Sequence, residues 1–244
     1  MMQPLDKWSA ALVLLLCSSV AQDIRAASFN VNPIGFDLSV ERPSGVLQIR
    51  NTGDTPVRIQ VGAVDWSTDG RQEVQADTDA LLLNPPIFAI QPGQIQFLRF
   101  GMRNPATPAT EKSYRLLIEE VPSGGPQPPG LKTLLRVSIP VFIVPLQKQE
   151  SISWQLRRQA GGLVLIAANN GNVHNKIVSI QLSNPDGKDA LQISTPAYVL
   201  PGQHKEWPLA NGTIRSGLVR LHVQTDKGEI EEQLTLEADQ VSSR

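Results

Sequence analysis

One cysteine, Cys17, stands in the 244 residues, and it lies inside the leading apolar segment. Once that segment is removed, the chain can form no disulfide and do no thiol chemistry. Charge of either sign is scarce: 22 Lys and Arg stand against 23 Asp and Glu, a net of -1. No basic field covers the chain, which excludes nucleic acid as a main partner. After the leader no run reaches the roughly 18 apolar residues of a membrane-spanning helix, so no stable membrane insertion is expected. The three histidines, His174, His204 and His222, have no carboxylate or second histidine at ligand spacing. The G-x-S-x-G elbow, the phosphate loop and the H-E-x-x-H motif are all missing, and Glu119 and Glu120 point to opposite faces of a strand. The sequence thus points to no catalytic residue, no metal site and no cofactor, and binding is the better class of answer than catalysis.

Residues 1–27 read as a cleaved signal peptide. Lys7 supplies a weak positive region, an apolar core runs from Ala10 to Leu16, and small residues allow cleavage after Ala21, Ala26 or Ala27. The bulky Leu16 before Cys17 is a poor match to a lipoprotein site. An exported chain without disulfides must hold together by core packing alone.

Strand character fills most of the rest. "FNVNPIGFDL", "GVLQIRN", "VRIQVGAVDWS", "IQFLRFGM" and "SYRLLIEEV" carry alternating or β-branched apolar residues between Gly, Pro, Asn and Asp turns. "VQADTDALLLNPP" is the one candidate for a turn or two of helix. Regular strands without helical partners predict an all-β fold of antiparallel sandwiches. A polar stretch near 147–151 separates two strand-rich blocks. The expected plan is residues 28–146, a linker at 147–150, a second sandwich at 151–238, and a tail at 239–244. In the second block, residues 169–172 read as a tight connection between two strands.

The segment "LKTLLRVSIPVFIVP", 131–145, is a strand with an unusual feature. Leu131, Thr133, Leu135, Val137, Ile139, Val141 and Ile143 make one face apolar nearly throughout. Pro140 sits inside it, and because proline cannot donate to a ladder, the strand belongs at an edge or bends there. Long apolar edges invite aggregation and are normally blunted. Two uses of the face remain open from the pattern alone: packing into the protein's own core, or offering itself to another chain.

The ordered set "VLQIRNTGDTPVRIQVGAVDWS", "LLNPPIFAIQPGQIQFLRF", "SYRLLIEEVP", "LLRVSIPVFIVP", "AANNGNVHNKI" and "VLPGQHKEW" resembles the periplasmic pilus chaperones of the chaperone–usher system. Trp66 and the Pro140-Val-Phe142 ending look most like the archaic, spore-coat-type branch. The resemblance implies two immunoglobulin-like domains set at an angle around a cleft, a periplasmic location, and partners in pilus subunits and an outer-membrane usher. It implies that the last long strand of the first domain completes a subunit lacking a strand, by donor-strand complementation. Leu131, Thr133, Leu135, Val137 and Ile139 would then form the donor face. Family members carry a basic pair that holds the subunit's terminal carboxylate. Here those positions are Gly35 and Pro140, which leaves Arg99 and Arg136 as candidate anchors. Val144 stands where the family has an interdomain arginine, and Glu120 falls at that network's glutamate. A pilus structural subunit or adhesin is the first alternative, but it would lack a strand and often carry a disulfide. Another exported β-sandwich binding protein is the second, and it would need clustered aromatics or carboxylates.

Overall fold

The computed structural model describes residues 29–122, 133–159, 162–185, 191–194, 196–209 and 217–236. The signal segment, Leu131 and the tail lie outside them. Among the described residues every regular element is a strand, and no helix is long and apolar enough to cross a membrane.

Two sheets face each other across the first core. One is ordered β1 (Phe29–Asn32), β3 (Ser44–Asn51), β8 (Ile95–Met102), β6 (Leu81–Asn84). The other is ordered β2 (Phe36–Leu38), β10 (Arg136–Ile143), β9 (Lys112–Val121), β4 (Val57–Thr68), β5 (Glu73–Asp77), with β7 (Ile87–Ile90) also on β4. The alternation seen in the sequence is the reason the sandwich closes. On β9, Tyr114, Leu116 and Ile118 are buried, and they meet Leu47, Ile49, Leu98 and Phe100 of the facing sheet in one core. The stretch expected to make a helical turn is instead β5 and β6. Residues 73–77 are exposed along their whole length and pair with the long β4, so no apolar stripe exists to support a helix.

The second sandwich repeats the plan. β11 (Ile152–Gln159), β12 (Gly162–Asn169) and β16 (His204–Leu209) form one sheet. The other is ordered β14 (Leu191–Ile193), β13 (Asn175–Ser183), β17 (Gly217–Thr225), β18 (Gly228–Leu236), with β15 (Ala197–Val199) on β13. Its core is separate and holds Trp154, Leu165, Ile177, Leu182, Trp207 and Leu221.

Each sandwich turns on one buried asparagine. Asn51 donates through Nδ2 to the carbonyls of Thr55 and Ile90, at 2.8 and 2.9 Å, while its Oδ1 accepts from the Gly53 amide. Asn169 does the same with Val173, Val199 and Gly171, at 2.8, 2.8 and 2.9 Å. The main chain matches too: Gly93 N–H donates to Asn51 O, and Gly202 N–H to Asn169 O. Gly93 and Gly202 sit at φ 74° and 69°, a conformation other residues adopt only under strain. In both places an Asn-x-Gly arch and a Pro-Gly-Gln turn are locked by a single side chain. The 169–172 connection is therefore a crossover between sheets rather than a hairpin, because β12 and β13 pair with different neighbours.

Candidate functional site

β10 is the strand to which the sequence drew attention, and its pairing is one-sided. β9 covers it along residues 136–143. On the other side β2 pairs only with Val141, Phe142 and Ile143, in parallel. Among the described residues no strand pairs with that side at residues 136–140. The hydrogen bonds fix which groups are left there. Glu120 N–H bonds to Leu135 O on the β9 side, and Val144 N–H bonds to Leu38 O on the β2 side. Even-numbered residues of β10 therefore turn their backbone groups toward the open side. These are the N–H and C=O of Arg136 and Ser138, whereas the C=O of Pro140 already accepts from Phe36 N–H in the first step of the parallel ladder. The proline is tolerated because its missing donor would have pointed into the unpaired lane.

The expected donor residues fall into three environments. Leu131 is outside the described residues. Thr133 is exposed, and Leu135 and Val137 are half-buried, packed against the edge of the first core. Ile139 is 2% exposed and is a full member of that core, together with Val141 and Ile143. The expectation that Ile139 reaches a partner's groove is corrected accordingly: the sandwich closes over the strand from this residue onward.

The two candidate anchors are not brought together. Arg99 lies between the buried Leu98 and Phe100, so it leaves the outer face of the β1-β3-β8-β6 sheet, beside Val46 and Asn84. Arg136 leaves the outer face of the opposite sheet, where Nε lies 2.9 Å from Glu119 Oε1. With the core between them, they cannot hold one carboxylate.

A different cation lies beside Pro140, one of the two positions at which the resemblance implies a basic residue. Arg115 of β9 is in register with Pro140 of β10, on the outward face, and its side chain is 11% exposed. Its guanidinium lies 3.7 Å from the centre of the Trp66 ring and is ion-paired with Glu73, and Nη1 lies 3.4 Å from Ser138 Oγ. Arg115 Nε and Trp66 Nε1 are buried with no hydrogen-bond partner among the described residues. Two unpartnered buried donors in one stacked pair are costly unless an acceptor arrives. The sequence concealed this residue, since an arginine between Tyr114 and Leu116 reads as an ordinary solvated position on a strand.

Among the described residues the sandwiches meet at three places besides the connecting chain. Trp66, Phe142, Val144 and Leu200 form a small apolar core, with Tyr198 packed on it. Val144, where the resemblance implies an arginine, is thus packed in hydrocarbon. Beside it Glu111, a buried carboxylate, accepts from the His174 amide at 3.1 Å and lies 2.9 Å from His174 Nδ1. The His174 ring is stacked on Phe142 of β10, with centroids 3.7 Å apart. No spacing rule could have found this pair, since its members come from different sandwiches. At the third contact the β4–β5 turn meets β16. Glu206 N–H donates to Gly70 O at 2.8 Å, Thr68 N–H to Gln203 Oε1 at 2.8 Å, and Arg71 pairs with Glu206 at 2.8 Å. The amides of Gln72 and Arg71 donate to Asp69 Oδ1 at 2.8 and 2.9 Å, which closes this turn and holds the carboxyl pKa below its ordinary value. The connecting chain is fixed as well, because Asn172 donates to Gln147 O and Ala109 O and accepts from Gln149 N–H.

Three solved structures share this architecture. The chaperone in the CsuC–CsuE chaperone–tip adhesion subunit complex of Acinetobacter baumannii archaic Csu pili is 20% identical, with a TM-score of 0.67, covering 86% of this chain and 100% of that one. The Salmonella enterica SafA pilin–SafB chaperone complex matches at 18% identity and a TM-score of 0.62, covering 87% of this chain and 98% of that one. The Pseudomonas aeruginosa CupB2 chaperone matches at 19% identity and a TM-score of 0.56, covering 84% and 98%. At such identities the likeness establishes the fold: two immunoglobulin-like sandwiches of the kind found in pilus chaperones. No curated protein sequence matches the chain significantly. Residues 28–149, half of the 244, match the family described as "Pili and flagellar-assembly chaperone, PapD N-terminal domain", and the chain belongs to that family.

Proposed function

We propose that this chain is a periplasmic chaperone that lends the open lane of β10 to a pilus subunit and passes the subunit to an outer-membrane usher. The observation that carries this reading is the unpaired side of residues 136–140, flanked by the half-buried Leu135 and Val137. A subunit lacking a strand presents the complementary need: unpaired backbone groups and an unfilled apolar groove. Strand addition satisfies both at once. The donor face is Leu131, Thr133, Leu135 and Val137, and Ile139 supports it from within the core. The bounds of the plan are a signal peptide at 1–27, a subunit-binding sandwich at 28–146, a linker at 147–150 and a second sandwich at 151–238.

Arg115 is the anchor for the subunit's terminal carboxylate, in place of Arg99 and Arg136. A carboxylate at the Pro140 end of the lane would be two strand spacings, about 9.6 Å, from the β9 backbone that carries Arg115, a span the long arginine side chain crosses over β10, where Nη1 already lies 3.4 Å from Ser138 Oγ. It would give the guanidinium a charge-assisted acceptor.

Two measurements test these statements. Co-expressed in the periplasm, the chain and a pilus subunit should form a soluble one-to-one complex that resists protease. Equal accumulation of folded subunit without the chain would refute the chaperone reading. Arg115→Ala should cut subunit recovery by about tenfold or more, the effect expected of a desolvated charged contact. Glu73→Gln, which frees the cation from its competing partner, should leave recovery unchanged or raise it. If both variants lose the subunit equally, the salt bridge is structural and the anchor lies elsewhere.

A further inference from the structure

Four strands of the first sandwich end around one cavity. β6 begins at Leu81, β8 stops at Met102, β9 begins at Lys112 and β10 stops at Ile143. Leu81 is in register with Met102, and Lys112 with Ile143. Between the two sheets at this end lies a cavity of about 370 Å³, walled by Ala80, Met102, Tyr114 and Ile143. The loop at 103–111 crosses over its mouth, from β8 in one sheet to β9 in the other. Residues 104–110 of that loop are Asn-Pro-Ala-Thr-Pro-Ala-Thr, with no large apolar side chain to plug the gap. The second sandwich also keeps the loop from sinking inward: Asn172 Nδ2 donates to Ala109 O, and Glu111 N–H donates to Asn172 O.

One polar group is left over in these walls. Tyr114 is 4% exposed, and its hydroxyl makes no hydrogen bond with any described residue. Trp66 Nε1 and Arg115 Nε are unpartnered but sealed, whereas this oxygen still meets the open space of the cavity. Burial, and after it the charge of Asp65, pushes the phenol above its ordinary value, so it remains a donor. Such a hydroxyl is costly to bury until an acceptor reaches it. Lys112 lies two residues before Tyr114 on β9 and so shares its inward face, ending at the rim with no ion pair among the described residues. The other rim cation, Arg103, is engaged by Asp79, with Nε 2.7 Å from Asp79 O and 3.6 Å from Oδ2.

We infer that this mouth binds a small amphiphilic monocarboxylate, a single carboxylate on a short hydrocarbon chain, whose head accepts from the Tyr114 hydroxyl and faces the Lys112 ammonium. Apolar walls with a few placed polar groups are the usual form of a small-molecule site. One free cation and one inset donor match one negative charge, while Asp65 and Asp79 close by oppose a doubly charged head such as phosphate. The hydrocarbon fills the gap that Met102, Ile143 and the small loop residues leave. None of these residues belongs to the open lane at 136–140, so the inference stands apart from the donor-strand reading.

The probe is octanoate, titrated into the purified chain by calorimetry. It should bind with a dissociation constant of about 0.1–1 mM, and octanol and octylamine about tenfold more weakly or not at all. Tyr114→Phe should weaken octanoate by about threefold to tenfold, the worth of one hydrogen bond. The same variant, without ligand, should melt no lower than wild type, because the hydroxyl it removes has no partner in the free protein. Lys112→Gln should weaken octanoate to a similar degree and leave octanol unchanged. The inference is overturned if octanoate does not bind, if octanol binds as tightly, or if either variant binds octanoate as wild type does. A fall of several degrees in the melting temperature of free Tyr114→Phe also overturns it, since the hydroxyl would then already be satisfied. A short peptide ending in a leucine carboxylate that binds where octanoate does not would assign the mouth to a protein terminus and overturn the small-molecule site.

Discussion

Asn169→Ala should destabilise the second sandwich by about 3–5 kcal/mol and lower its melting temperature by roughly 10 °C or more, and Asn51→Ala should do the same to the first. The Asn169 side chain is almost fully buried and satisfies one carbonyl and one amide of its own connection and a carbonyl of β15 thirty residues on. Truncation leaves the Val173 and Val199 carbonyls without their donor in a dry site, at about 1–3 kcal/mol for each unmet group. Asp in place of Asn separates the contributions. It keeps the oxygen that accepts from Gly171 but removes the donor to both carbonyls, so it should be as damaging as Ala or worse. Calorimetry on the two single variants should show different transitions moving, one per sandwich. If either alanine variant melts within two degrees of wild type, the asparagine does not hold its arch. If both variants move the same transition by the same amount, the two sandwiches unfold as one unit.

That repeated bracket also shows what a sequence can reveal. Asn51-Thr-Gly53 and Asn169-Asn-Gly171 were visible as turn signals, and so were the two Pro-Gly-Gln segments. Nothing local says that the first closes on the second, because the closing bonds span 39 residues in one sandwich and 30 in the other. The strands were legible because burial follows alternation: Tyr114, Leu116 and Ile118 could be assigned to a core before any coordinates. Pro140 marked an edge for a chemical reason that the hydrogen bonds bear out. Short strands were harder, since residues 73–77 have no apolar face and are strand only because β4 is twelve residues long and needs a partner. Groups acting across a fold were the least legible. Glu111 and His174 are 63 residues apart, and Arg115 gains its meaning only from Pro140 on one side and Trp66 on the other.

The largest effect on partner binding is expected at Leu135, and its contrast with Ile139 tests the division of β10 into an offered half and a buried half. Both residues lie on the same face of the chain, each two residues from Val137. Leu135 is half-buried, at the margin of the core, whereas Ile139 is inside it. Leu135→Asn should weaken subunit capture by roughly tenfold to a hundredfold, through one lost apolar contact of about 1–3 kcal/mol and a polar group left in the subunit's groove. Its cost to the free protein should be smaller, because only part of that side chain packs at home. Ile139→Ala should do the opposite. Removing its buried methyl groups should cost about 2–5 kcal/mol of folding stability. The protein that remains folded should still capture subunit, because the backbone groups of the open lane belong to Arg136 and Ser138. Melting curves of the free variants, set beside subunit recovery from the periplasm, read the two quantities separately. Should Leu135→Asn melt as low as Ile139→Ala while capturing subunit normally, the whole apolar face of β10 serves the protein's own core. The open lane would then be an edge that the fold leaves unpaired for some other purpose.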